Sequence, residues 1–224
     1  MDNNSTRADE FSNAIKEYAP RFCVQLTDVE IARLREYYEQ VMAWNTRLHL
    51  VAPCSASEFA TRHILESLVA LPHLSVGAHV ADIGSGAGLP IIPCLIVRPD
   101  LRATLIESSS KKAVFLREAL RRVGATNTAQ VINERFEQLP APDADFITCR
   151  ALDRFTEMFQ RIVEWSPDTS TLLLFGGDSL REQIEKYDLV YETVLIPESE
   201  RRFLFIIKRS PKSKVESPKS KTYS

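Results

Sequence analysis

Apolar residues in this chain first recur every three to four positions and then, from about residue 79, gather into short unbroken runs. Residues 1–25 are polar and predict a loosely helical segment, with Phe11, Ile15 and Tyr18 at i, i+4 and i+7. Thr27-Asp-Val-Glu30 has the spacing of a capping box, in which hydroxyl and carboxylate satisfy each other's backbone amides, and it opens a strong helix. Ile31, Leu34, Tyr38, Val41 and Leu48 continue it at helical spacing. Ser55-Ala-Ser-Glu58 predicts a second box and a helix through about Leu71, where Pro72 ends it by removing a donor. Residues 1–75 are therefore expected to form an all-helical extension.

Strand-length runs at 79–83, 103–107, 128–132, 145–149 and 170–175 then alternate with helical stretches near 91–98, 110–123, 153–164 and 178–187. Such alternation predicts an α/β fold, a parallel sheet covered by helices on both faces. Leu189–Ile196 and Arg202–Lys208, joined by Pro197-Glu-Ser-Glu200, predict a terminal hairpin that gives the sheet an antiparallel edge. Seven strands result, in a domain spanning 76–209. The remainder, 210–224, is basic, polar and proline-punctuated, and is expected to be disordered.

The chemistry sits where the period changes. Val80-Ala-Asp-Ile-Gly-Ser-Gly-Ala-Gly-Leu-Pro90 is an apolar run ending in an acid, then glycines at alternate positions. Gly84, Gly86 and Gly88 permit a sharp strand-to-helix turn and remove the Cβ atoms that would keep a ligand off the backbone. The next strand ends in Glu107, a carboxylate that can accept two ribose hydroxyl bonds. The dinucleotide fingerprint places its third glycine one residue later, and Leu89-Pro90 fills the positions where amides would meet a pyrophosphate. A nucleoside cofactor without phosphate, S-adenosylmethionine, fits better. Asp82 is placed to orient the loop amides or to reach the methionine ammonium. After the third strand, Phe136 can pack on adenine and Glu137 can meet its edge. Arg150, following the fourth strand, can hold the methionine carboxylate, a nucleobase or a phosphate, or else pair with Asp82 or Asp153. With five alternating strands and a terminal hairpin, this is the arrangement of class I methyltransferases.

Composition narrows the setting. With 44% hydrophobic and 26% charged residues, the 224-residue chain has the balance of a soluble globular protein. No apolar stretch approaches the ~20 residues of a membrane span, and the polar start is no signal peptide, so a cytoplasmic protein is expected. Four cysteines and four histidines are scattered, which argues against a metal site. The net charge of −2 excludes a bulk polyanion binder. Local basic clusters remain: Lys111, Lys112, Arg117, Arg121 and Arg122 on one helix, and Arg201, Arg202, Lys208 and Arg209 near the end. Of these, Lys111, Lys112, Arg117, Arg121 and Arg201 are candidates for RNA phosphates, against the plainer reading of a solvated helix face.

No acid–base or nucleophilic group stands where the acceptor would lie. Exocyclic-amine methylation calls for a proline-aromatic loop after the fourth strand, and the chain has Phe146-Ile-Thr-Cys-Arg-Ala-Leu152 there. Pyrimidine C5 methylation needs a cysteine nucleophile, but Cys149 lacks a Pro-Cys context and reads as a small buried residue. Purine N7 has an exposed lone pair and no proton to lose, which is consistent with this absence.

These residues resemble the RsmG (GidB) family of bacterial 16S rRNA (guanine-N7)-methyltransferases. The likeness runs from about Tyr37 to Arg209, through Trp44-Asn45, Arg62-His-Ile-Leu-Glu-Ser67, Asp82–Pro90, Arg98-Pro-Asp-Leu101, Lys111-Lys-Ala-Val-Phe-Leu-Arg117, Arg150-Ala-Leu152 and Glu200–Lys208. The resemblance implies a helical segment on a class I fold, S-adenosylmethionine as donor, and a guanine near the decoding centre as acceptor. The RNA partner is 16S rRNA in the small subunit or its precursor, and the enzyme is expected to be a monomer. By the resemblance, Gly84, Leu89, Phe136, Glu137 and Arg150 contact the cofactor, with Glu107 at the ribose acid position. The chain departs from the family at Ile91, where a glycine is usual, at His49 and Val51, and at Phe175-Gly176 in place of Lys-Gly. All of these are expected on the RNA or substrate side. A small-molecule methyltransferase and a non-catalytic RNA-binding relative are the rival readings.

Overall fold

The computed structural model describes residues 3–150 and 155–208, so the 210–224 tail, Asp153 and Arg209 lie outside the described residues. Seven strands form one sheet in the order β3-β2-β1-β4-β5-β7-β6. β1 (His79–Ile83), β2 (Arg102–Ile106), β3 (Ala129–Ile132), β4 (Phe146–Arg150) and β5 (Thr171–Gly176) are parallel. β7 (Phe203–Lys208) pairs antiparallel with both β5 and β6 (Tyr191–Leu195), so the hairpin folds its second strand inward and leaves β6 at the edge. The strand spans lie close to those expected. The largest shift is β6, which starts at Tyr191 after Asp188 takes φ 51°.

Side-chain alternation along the strands separates two cores. Val80, Leu105, Leu173 and Ile206 face one layer, which holds α5 (Ile91–Val97), α6 (Ser110–Arg122) and the N-terminal helices. Ile83, Ile106, Ile147, Cys149 and Leu174 face the other, under α7 (Phe155–Trp165) and α8 (Asp178–Lys186). The N-terminal helices thus share a continuous core with one sheet face.

The N-terminal segment is ordered rather than loosely helical. α1 (Asn3–Tyr18) buries Phe11 and Ile15 fully, and Phe11 stacks on Tyr38 with centroids 4.7 Å apart. α2 (Asp28–Leu48) begins at a complete capping box: Glu30 N–H donates to Thr27 Oγ1 (3.3 Å) and Thr27 N–H to Glu30 Oε2 (2.6 Å). The second box is only half formed. Ser55 Oγ accepts from Glu58 N–H (3.0 Å), but the Glu58 carboxylate turns to Arg62 (2.6 Å). The single helix expected from Ser55 to Leu71 is interrupted. α3 (Ala56–Phe59) passes into a wider π-turn over Ala60–Leu65, where Glu66 N–H reaches back to Thr61 O, before α4 (Glu66–Leu68) and a 3-10 turn at Leu71–His73. π-turns interrupt helices mostly at functional positions. This one faces the ends of β4 and β7.

Candidate active site

The glycine loop leaves β1 with Gly84, Gly86 and Gly88 at φ 67°, 53° and 88°. L side chains rarely adopt such angles, and a Cβ at Gly88 would also overlap the Ile92 side chain. Gly84 and Ser85 N–H both donate to Ile106 O (2.9 and 3.2 Å). Buried Glu107, just beyond β2, accepts from Gly86 N–H at Oε2 (2.9 Å) and from Ser109 N–H at Oε1 (2.7 Å). From α2, buried Tyr37 donates to Ala87 O (2.5 Å). Ile106 and Glu107, rather than Asp82, therefore orient the loop amides.

Asp82 lies fully buried beneath the loop. Thr148 Oγ1 donates to its Oδ1 (2.7 Å), while Oδ2 is buried without a hydrogen-bond partner. Burial lifts its carboxyl from an ordinary 3.8 to about 7, and the Ser85 and Thr148 hydroxyls offset this only in part.

The loop borders a trench with two lobes that share Gly84 and Ser108. One lobe, about 510 Å³, is lined by Leu50–Ala52, His63, Leu89, Glu107, Lys112 and Arg150. The other, about 410 Å³, is lined by Ile106, Phe136, Glu137, Met158 and Arg161. Phe136 is buried edge-on against Trp165 (5.4 Å), and Glu137 is held by Arg161 (3.4 Å). All nine sequence-predicted cofactor residues thus line this trench, lie beneath it (Asp82) or shape its loop (Gly88), with Glu107 accepting from two backbone amides at its centre. A larger hollow of about 750 Å³ lies between α2 and α6, beside Trp44 and Arg117, but it contains no glycine-loop residue. Size alone does not select a site; converging polar groups do.

Arg150 does not pair with Asp82, and Asp153, the other partner expected of it, lies outside the described residues. Arg150 donates to His63 O (3.3 Å), Ser67 Oγ (3.0 Å), Arg62 O and Glu66 Oε2 (3.1 Å), so two bonds go to the π-turn and two to α4. Its partner is Glu66, not Asp82. Glu66 is itself buried and bridges to Arg202 Nη2 at 2.6 Å. Burial pushes the Glu66 carboxyl above its ordinary range against the pull of both guanidiniums.

The basic residues do not form one patch. Lys111 is exposed on the first turn of α6, and Lys112 borders the trench. Further along α6, Arg117 donates to Val131 O (3.4 Å) and Arg121 pairs with Glu118 (2.5 Å). Arg201 is exposed in the β6–β7 turn, its neighbour Arg202 points inward to Glu66, and Lys208 pairs with Glu192 at the opposite end of β7. Among the substituted positions, Val51 lines the trench, His49 is an exposed helix C-cap at φ 48°, and Phe175 packs under the Arg150 guanidinium (5.7 Å). Ile91 is buried in the core, not on a substrate face.

Sequence reasoning passed over four groups that build this site. Tyr37 pins the loop, and Asn45 holds Val51 through both its amide atoms (2.9 and 3.1 Å). His63 lines the trench, and Glu66 binds two arginines. The Arg62–Ser67 run carried the signal, since a histidine, a glutamate and an arginine within a helix beside a glycine-loop fold invite partners.

Ribosomal RNA small subunit methyltransferase G of Sorangium cellulosum is 38% identical over 168 residues, covering 72% of this chain and 70% of that one. The protein of that name from Chromobacterium violaceum is 35% identical over 144 residues, covering 64% and 68%. The crystal structure of a SAM dependent methyltransferase from Aquifex aeolicus superposes with a TM-score of 0.51 at 15% identity over 63% of this chain and 89% of that one, a likeness of fold. The family model for rRNA small subunit methyltransferase G (GidB) matches residues 30–204, from the first turn of α2 to the start of β7, so it spans both the π-turn and the glycine loop, and the chain belongs to that family.

Proposed function

We propose that this protein transfers a methyl group from S-adenosylmethionine to N7 of a guanine in 16S rRNA near the decoding centre, acting in the cytoplasm on the small subunit or its precursor. One observation carries the donor: the buried, unpartnered Oδ2 of Asp82 lies below a positive-φ glycine loop whose next strand ends in Glu107. A cationic nucleoside suits that pair. When bound, it supplies an electrophilic methyl group on a sulfonium.

The chain's own residues would hold and orient it. Each Glu107 oxygen already accepts one backbone amide and has a lone pair left for a ribose hydroxyl. Phe136 offers an apolar face to adenine, and Glu137 an acceptor for its amine. Asp82 meets the ammonium, and Leu89 closes the lobe. Arg150 offers the methionine carboxylate its charge more than its donors, because most of these are engaged. Alignment is then the main catalytic contribution. No side-chain nucleophile is needed. Cys149 lies buried in the second core, and Cys149→Ser should keep most of the activity; a covalent RNA adduct through Cys149 would instead indicate ring-carbon methylation.

Asp82 gives a pH-dependent test. Its carboxyl is favoured in the protonated form by the fold, so its contribution to stability is full below about 4 and is lost as pH rises through about 7. Binding a cation should ionise it and release a proton near pH 7, visible calorimetrically as a buffer-dependent heat. Asp82→Asn should melt higher relative to wild type at pH 8 than at pH 5, yet bind S-adenosylhomocysteine at least about tenfold more weakly. Unchanged affinity would leave Asp82 a purely structural group.

For the acceptor, mapping N7-methylguanosine in rRNA from cells with and without the gene is decisive. No difference would remove the N7 reading and revive the non-catalytic one. Reversing Lys111 and Arg117 together should weaken RNA binding and flatten its salt dependence without touching cofactor affinity. An unchanged salt slope would return both residues to a solvated face.

A further inference from the structure

The first lobe of the trench contains a group that cofactor binding does not use. His63 sits in the π-turn, its ring tilted 58° against Phe59 at 5.0 Å, with the backbone carbonyl fixed by Arg150 and Ser67. It borders the same lobe as the Leu50–Ala52 loop, and that loop is itself clamped by Asn45. Its Nδ1 is buried with no hydrogen-bond partner, so of the two ring nitrogens Nε2 is the one available to a ligand in the lobe that His63 lines. We propose that His63 donates from Nε2 to O6 of the target guanine, selecting the base and turning its N7 toward the methyl group. The inference rests on the N7 reading above.

Three arguments support it. An orphaned buried N–H is rarer than an orphaned acceptor, so the ring proton belongs on Nε2 and the bare lone pair on Nδ1. The ring is also neutral, because burial and then Arg150, Arg62 and Arg202 hold its pKa at about 3. Guanine presents N7 and O6 side by side as acceptors, whereas adenine has an amine donor where O6 would be. A donor aimed at O6 therefore accepts guanine and opposes adenine. Neutrality matters at the next step. As the N7 lone pair bonds the methyl carbon, the carbon–sulfur pair stays on sulfur and the purine becomes cationic. A neutral imidazole can still donate beside that cation without repelling it, and no proton is exchanged with His63.

The test uses the full-length protein and ligated 16S transcripts carrying guanine or 2-aminopurine, which keeps N7 but lacks O6, at the mapped position. Wild type should favour guanine by about ten- to a hundredfold in kcat/KM. His63→Leu should lose that factor on guanine and show no preference between the two bases. His63→Gln, which keeps a donor near the position of Nε2, should restore most of it. S-adenosylhomocysteine affinity and melting temperature serve as controls and should stay near wild type in both variants. A guanine preference that survives in His63→Leu would overturn the proposal. So would an activity loss matched by lost S-adenosylhomocysteine binding, which would make His63 a cofactor-side support. Wild type forming no N7-methylguanosine would instead fall on the proposed function, and this inference would fall with it.

Discussion

Glu107→Ala should weaken S-adenosylhomocysteine binding by at least about a hundredfold and also lower the melting temperature of the free protein. The sequence alone suggests only the loss of ribose bonds, roughly 1.5–3 kcal/mol for a charge-assisted contact. The structure adds a second loss. The carboxylate ties Gly86 N–H to Ser109 N–H, and so joins the glycine loop to the first turn of α6. Removing it frees two amides and loosens the surface on which the cofactor would rest. Two such contributions together exceed the roughly 2.7 kcal/mol that a hundredfold represents. Glu107→Gln should behave nearly as badly, because its amide sets a donor against one of the two N–H groups. Calorimetry on both variants, with melting curves, separates the effects. A loss below tenfold with unchanged melting would mean that the ribose is held elsewhere.

Much of this architecture is written in local pattern. The shift of apolar period near residue 79 locates the sheet, and the alternate glycines with a following acid locate the ligand edge, because both depend on neighbours in sequence. What local pattern does not carry is where long side chains go. Ala60–Leu65 reads as ordinary helix; its π-turn is matched to a guanidinium more than eighty residues away, on Arg150. Arg201 and Arg202 look equivalent in a basic run, yet the turn before β7 leaves one exposed and turns the other, half-exposed, inward to Glu66. Arg117 and Arg121 likewise look like free positive charge, but Val131 O and Glu118 occupy them. Tyr37 reads as one more apolar position on α2, and only the tertiary fold brings its hydroxyl to Ala87 O. Charge and hydroxyl placement is thus a property of the packed layers, whereas element type is a property of the chain.

The Glu66 bridge should give the largest stability effect of any single substitution in the site. Its carboxylate lies between Arg150 (3.1 Å) and Arg202 (2.6 Å), and so links α4 to the ends of β4 and β7. Taking such charges out of water is expensive, so the intact triad contributes little net stability, as the raised Glu66 carboxyl implies. Removing the one anion is another matter, because two cations then face each other without compensation. Breaking a buried pair in this way costs about 3–5 kcal/mol. Arg202 is 38% exposed and relaxes into solvent, which puts the expectation toward the lower end. For a chain of this size, Glu66→Leu should therefore lower Tm by roughly 6–15 °C. Adding Arg202→Met should recover part of the loss, since the like charge facing Arg150 goes with it, and the two changes should be strongly non-additive. Arg150 keeps its carbonyl contacts to Arg62 and His63 in both variants, so the π-turn should persist. Additive effects, or a Glu66→Leu protein that melts with wild type, would show that the bridge is held open by solvent and does not tie the helices to the sheet.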